Sequence, residues 1–248
     1  MRVITNADDL GCGPLTDQAT FELIAEGLVT STTVLANGPT AADAPGWARE
    51  FPNCSFGVHL NLTDFKPFCA SRAPQELLGE GGRFRSNLRL VPRLKRFREF
   101  IFYEFCAQIE YLLSQGMKLS HLDSHHHIHT IPVLLPVLKA VQRKYGIRKV
   151  RISRNVYLKA SPASKILLLK KMIFNAVLRH WFSTRTTEAF TDLPAFCEGT
   201  SQFARKYHTI EIELHPGART CAGESDQLRF LDRKDPEFRA SLISYENL

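Results

Sequence analysis

The chain has 248 residues, 44% of them hydrophobic and 23% charged, with a formal net charge of +7. Those proportions exclude a disordered or fibrous protein, and the length suits one large α/β domain or two small ones, with one as the expectation. Six cysteines with neither a CxxC pair nor regular spacing argue against a disulfide framework and a thiolate zinc site, so reduced thiols in a cytosolic setting are expected.

The opening RVITNADD reads as a short buried strand ending in polar residues; Asp8 and Asp9 arrive where a signal-peptide core would have to continue. TDQATFELIAEGLV follows with helical spacing and a glycine near its end, then β-branched TSTTVLAN as a strand, AADAPGWAREF as a helix and SFGVHLNLT as a strand. After a loop rich in Gly, Pro and Arg, the spacing of Phe97, Ile101, Phe105, Ile109, Leu112 and Leu113 predicts a helix up to Gly116. KLSHLDSHHH reads as a strand, PVLLPVLKAVQRKYG as a helix with proline in its first turn, and KVRIS and TIEIELHPG as strands. Strands alternating with helices predict a mainly parallel sheet covered by helices, either open or closed into a barrel. In both, functional residues gather at the carboxyl ends of the strands.

Charge is unevenly spread. GGRFRSNLRLVPRLKRFR carries Arg83, Arg85, Arg89, Arg93, Lys95, Arg96 and Arg98 without an acid, and residues 151–185 also lack Asp and Glu. Two basic surfaces are expected, with plain solvation as the first reading and anionic lipid or acidic substrates as alternatives. Nucleic acid is not expected, because no recognition motif accompanies the charge. KILLLKKMIFNAVLRHWF is interrupted by Lys170 and Lys171, so it is too broken to span a bilayer. A helix packing its apolar side on the protein body is expected there, with a helix lying on a membrane surface as the alternative.

Chemistry concentrates at the predicted strand ends. On an extended chain neighbouring side chains point in opposite directions, so Asp8 and Asp9 need not do the same job. By the same alternation Asp123, His125, His127 and His129 share one face of HLDSHHHIH if the strand persists, and Ser124 and His126 share the other. All of them cannot ligate one ion, and a solvent-exposed loop is expected for His126 and His129. His59, a lone polar ring in the apolar strand GVHLNL, needs a partner. An acid pair and a second histidine at the same rim make a two-histidine, one-carboxylate metal site the leading reading, since that set leaves positions open for water and substrate. His215 also ends a strand and is a candidate acid.

TNADDLG, GLVTSTTVLANGP, GVHLNLT and HLDSHHHIH, in this order and spacing, resemble the YdjC-like carbohydrate deacetylases, which include chitin-disaccharide and hopanoid-associated deacetylases. The resemblance runs through residue 154 and resumes at ELHPG and LISYENL, though the C-terminal stretch is shorter than the family's usual ending. It implies a distorted (β/α) barrel, TIM-barrel-like, as a single domain over residues 1–248. It also implies divalent-metal-dependent removal of an N-acetyl group from an amino sugar, in an N-acetylglucosamine-containing oligosaccharide or glycolipid. Carried over by position, Asp9, His59 and His125 are the metal ligands, Asp8 the general base and His215 the general acid. Arg151 holds Asp8, while Asp123 and His127 support the site or face the substrate. The resemblance implies magnesium, whereas nitrogen ligands favour zinc, cobalt or manganese. The alternatives are another metal-dependent hydrolase, such as a phosphoesterase, and a non-catalytic sugar- or lipid-binding protein. The expected location is cytoplasmic, with peripheral or glycolipid contact at the inner face of the membrane as an option, and a homodimer is allowed.

Overall fold

The computed structural model describes residues 1–88, 93–160 and 163–248, so Arg89 of the first basic stretch lies outside the described residues. The strands β1 (Arg2–Leu10), β2 (Ser31–Val34), β3 (Ser55–Leu60), β4 (His121–Ser124), β5 (Lys149–Val150), β6 (Ala189–Asp192) and β7 (Thr209–Leu214) form one sheet. Its order is β5-β4-β3-β2-β1-β7-β6, and every pairing is parallel. β2, β3 and β7 are buried along their whole length, which is what a parallel sheet covered on both faces requires.

The helices α1 (Pro14–Ala25), α2 (Ala44–Glu50), α3 (Arg98–Ser114), α4 (Leu135–Tyr145), α5 (Lys165–His180), α6 (Leu193–Lys206), α7 (Glu224–Lys234) and α8 (Pro236–Ser241) connect or follow the strands. The result is one α/β domain whose seven parallel strands curl into a half-barrel, a distorted TIM-barrel-like barrel with β5 and β6 as its two edges. The seam between β5 and β6 is irregular. Beyond Val150 the expected KVRIS strand leaves the ladder, and Asn155 spans the gap with its side-chain amide, donating to Glu188 O at 3.0 Å and accepting from Phe190 N at 2.9 Å.

The helix predicted over residues 97–116 is α3, with Ile101, Phe105, Ile109 and Leu112 buried, but Leu113 is 41% exposed because it falls one position off the inward stripe. The helix expected at KILLLKKMIFNAVLRHWF is α5, and β6 and α6 follow it; the first turns of the two helices are capped by Ser164 accepting from Leu167 N and Asp192 accepting from Ala195 N. Among the described residues no helix is long and apolar enough to cross a membrane. All six cysteines are free.

Two local departures from regular strand geometry matter for the site. The β1–β2 register shifts between Ala7 and Leu10, and Asp9 sits at φ 64° in the left-handed region. β4 stops at Ser124, because His126 and His127 adopt φ 51° and 52°. Period-two alternation therefore applies neither to the acid pair nor to His125–His129.

One glycine is fixed by packing. Gly57 on β3 lies beneath the His121 ring, and a Cβ there would meet the ring at 2.6 Å and His121 O at 2.7 Å. The ring cannot retreat, since it stacks on Tyr245 with centroids 3.7 Å apart. Gly57→Ala is expected to cost about 1–3 kcal/mol of stability by overpacking. Urea unfolding would show it as a lower midpoint with an unchanged slope.

Candidate metal and catalytic site

The left-handed turn at Asp9 swings its carboxylate to the side on which Asp8 already points. His59 Nε2 consequently lies 3.2 Å from Asp9 Oδ1 and 3.9 Å from Asp8 Oδ2. His125, the first residue past β4, places Nδ1 2.7 Å from the same Asp9 oxygen. Ligand atoms of Asp9, His59 and His125 all fall within 4.8 Å of one another, so the three residues could hold a metal ion.

The surroundings fit such an ion. His59 Nδ1 contacts Asp123 Oδ1 at 2.7 Å, and Thr33 donates its hydroxyl to Asp123 Oδ2 at 3.0 Å. A carboxylate that takes the Nδ1 proton fixes the ring tautomer and leaves the Nε2 lone pair aimed at Asp9, the arrangement usual for a metal-ligating histidine. Without a cation, burial disfavours a charged His59, yet the Asp123 and Asp8 carboxylates outweigh it and raise its pKa. Burial likewise works to raise Asp9, but hydrogen bonds from His125 and His59 hold it well below the usual carboxylate range. The pocket thus favours positive charge at its centre, as a proton or as an ion.

Arg151, just past β5 and fully buried, organises the wall behind that pocket. Its Nη1 and Nη2 donate to the two oxygens of Asp8, each at 2.6 Å, and its Nε donates to Glu211 Oε1 at 2.7 Å. Nη2 also lies 2.9 Å from Asp123 Oδ2, and the guanidinium sits over the Phe190 ring. Burial alone would raise Asp8, and the Arg151 charge outweighs it, holding Asp8 far below the usual carboxylate range. Asp8 Oδ1 accepts a further bond from Asn6 Nδ2 at 2.9 Å, and Asn6 Oδ1 in turn faces His121 Nε2 at 3.0 Å. From the C-terminal segment, Tyr245 donates its hydroxyl to Glu211. The orientation of Asp8 is therefore fixed from two sides.

His215, at the carboxyl end of β7, lies beside Asp8 on the neighbouring strand: ligand atoms of Asp8, Glu213 and His215 lie within 4.8 Å of one another. Burial opposes protonation of His215, but Asp8 and Glu213 prevail and raise its pKa. Its backbone N–H donates to Glu224, whose carboxyl burial pushes up to about 7. His127 Nε2 lies 3.2 Å from Glu213 Oε1, and Arg154 Nη2 donates to Glu213 Oε2 at 2.7 Å.

All eight residues singled out from sequence thus converge on one rim: Asp8, Asp9, His59, Asp123, His125, His127, Arg151 and His215. Three expectations need correction. Asp8 and Asp9 do not point apart, because the bulge replaces strand alternation. His129 is not in an exposed loop; it is 1% exposed, bonded to Ser124 Oγ and facing Arg151 O at 3.2 Å. His126 is half-buried, with Nδ1 3.0 Å from Thr63 Oγ1 and its ring against His125. Arg151 belongs to no basic surface, and Arg154 is paired with Asp192 and Glu213. Sequence reasoning missed Glu211, Glu213, Glu224 and Tyr245. The first two had a signal, since glutamates alternating with isoleucines in a buried strand must point inward and find partners.

A sequence model described as YdjC-like protein matches residues 2–242. A protein named carbohydrate deacetylase from Vibrio cholerae serotype O1 (strain M66-2) is 37% identical over 147 residues, 59% of this chain and 57% of that protein. One of the same name from Geobacillus stearothermophilus is 35% identical over 153 residues, 61% of this chain and 60% of that protein. The matches span less than two thirds of the length of these relatives. A crystal structure from Enterococcus faecalis V583, of a protein with a proposed role in cellobiose-phosphate cleavage, superposes with a TM-score of 0.73 at 25% identity. That superposition covers 99% of this chain and 97% of that one.

Proposed function

The chain belongs to the YdjC-like family, and from that premise we propose that it is a divalent-cation-dependent hydrolase that removes the N-acetyl group of an amino sugar. The observation that supports this most is the convergence of Asp9, His59 and His125 on one point, with Asp8 and His215 together beside it. Amide hydrolysis needs an activated water, a stabilised oxyanion and a protonated leaving amine. A bound cation supplies polarisation of the carbonyl and acidification of the water.

The chain's own groups supply the rest. Asp8 is pinned by Arg151 with its Oδ2 facing the pocket, and it accepts the proton of the attacking water. Arg151 makes Asp8 a weaker base while fixing its direction. His215, with its pKa raised by neighbouring carboxylates, carries its proton toward neutral pH and delivers it to the departing nitrogen. Asp123 keeps the His59 ring in its working tautomer. His127 and Glu213 line the rim where the sugar rests. Two imidazoles and one carboxylate favour zinc, cobalt or manganese over magnesium.

The test is product analysis on chitobiose, N-acetylglucosamine and an N-acetylglucosamine-bearing glycolipid. Acetate release is expected, and phosphate release from phosphosugars without acetate would overturn the proposal in favour of a phosphoesterase. Dialysis against a chelator is expected to bring acetate release to background, and readdition of the divalent ions to restore it. The ion restoring it at the lowest concentration identifies the preferred occupant, and His125→Ala is expected to hold less than one ion per chain by elemental analysis.

A further inference from the structure

α5 carries an apolar stripe that the protein body does not cover. Ile166, Leu169, Ile173 and Val177 recur at helical spacing and are 69%, 52%, 55% and 42% exposed, with Met172 beside them at 61%. Only Phe174, Asn175 and Leu178 of this 16-residue helix are buried. Seven of the twelve exposed large hydrophobic residues among the described residues lie on α5, which marks it as a docking element and not as scattered surface.

The charge around the stripe decides among occupants. Lys165 and Lys170 lie on the same helix and are exposed, and residues 151–185 contain no acid. An isologous contact with a second copy would set these cations against themselves, because such an interface apposes the same patch twice. An anionic lipid surface accepts both features at once. The stripe enters the boundary between headgroups and acyl chains, and the lysine stems reach back to the phosphates.

The placement of α5 relative to the site agrees. Asn175 bonds both backbone groups of Ser153, Oδ1 accepting from Ser153 N at 2.9 Å and Nδ2 donating to Ser153 O at 3.0 Å, just past the carboxyl end of β5. After α5 the chain returns to pair Arg185 with Arg148 and Val150 at the base of that strand. Residues 165–174 therefore precede a helix residue anchored just past the carboxyl end of β5, the end at which the catalytic side chains gather. We propose that α5 docks this rim onto an anionic membrane surface, whatever reaction the rim performs.

The experiment is flotation with phosphatidylcholine vesicles, with and without phosphatidylglycerol, comparing the wild type with Leu169→Glu/Ile173→Glu and Lys165→Gln/Lys170→Gln. All four positions are exposed, and unchanged thermal unfolding would verify the fold. The wild type is expected to float with the anionic vesicles at least about tenfold more than with the neutral ones, less so at high salt, and each variant to lose about tenfold or more. No flotation at low salt, or equal partition into neutral and anionic vesicles, would overturn the proposal. So would a dimer in sedimentation velocity that Leu169→Glu/Ile173→Glu dissociates, which would assign the stripe to self-association.

Discussion

Asp8→Asn is expected to lower acetate release by about 10²- to 10⁴-fold, the range typical of removing one proton-transfer group, while the chain stays folded and retains its ion. The substitution is nearly isosteric. Asn keeps one oxygen for the guanidinium, and Arg151 retains Asp123 Oδ2 at 2.9 Å and Glu211 Oε1 at 2.7 Å, so the buried charge is not orphaned. Asp8 stands outside the Asp9, His59 and His125 set, and metal content by elemental analysis should match that of the wild type. Loss of the ion together with activity would make Asp8 a ligand and overturn the division of labour between the two aspartates. Ordinary activity with the ion retained would remove Asp8 from the chemistry altogether.

That division could not have been read from strand alternation. RVITNADD does form β1, and every other strand predicted from pattern exists, because apolar runs flanked by helical segments leave a parallel sheet few alternatives. Pattern fails at Asp9 and at His126 and His127, where non-glycine residues take left-handed backbone that no local periodicity signals. What points the two carboxylates into one pocket is the shifted register against β2, a tertiary fact. β5 shrinks to two residues for a similar reason, its later pairing being replaced by the Asn155 side chain. α5 was legible as a helix in KILLLKKMIFNAVLRHWF, but an outer face as apolar as its inner one hides its orientation from any periodicity argument, and β6 and α6 were not read at all. Glu211 and Glu213 were visible as charges in a strand. Their partner became identifiable only once Arg151 proved to be buried.

Arg151→Met carries the largest expected cost in stability. The methionine fills most of the space against Phe190 but leaves Asp8, Asp123, Glu211 and Glu213 buried without the guanidinium that three of them contact within 3 Å. Removing one partner from a buried ion cluster costs about 3–5 kcal/mol, a large share of the 5–15 kcal/mol that holds a domain together. Acid pH should return part of it. In the wild type Arg151 holds Asp8 below its unfolded value, so this group's contribution is present above about pH 4 and is lost as pH falls through the folded pKa. Without Arg151 the sign reverses, since burial raises the carboxyl above its unfolded value and the folded chain then binds the extra proton. Glu211 already sits at about 7 against the lowering effect of Arg151, and it rises further when that effect is gone. Urea unfolding of chelator-treated protein should therefore show Arg151→Met more stable at pH 5 than at pH 7, by a wider margin than the wild type. A cost below about 1 kcal/mol at pH 7, or no recovery on acidification, would mean that the four carboxylates do not depend on this one cation.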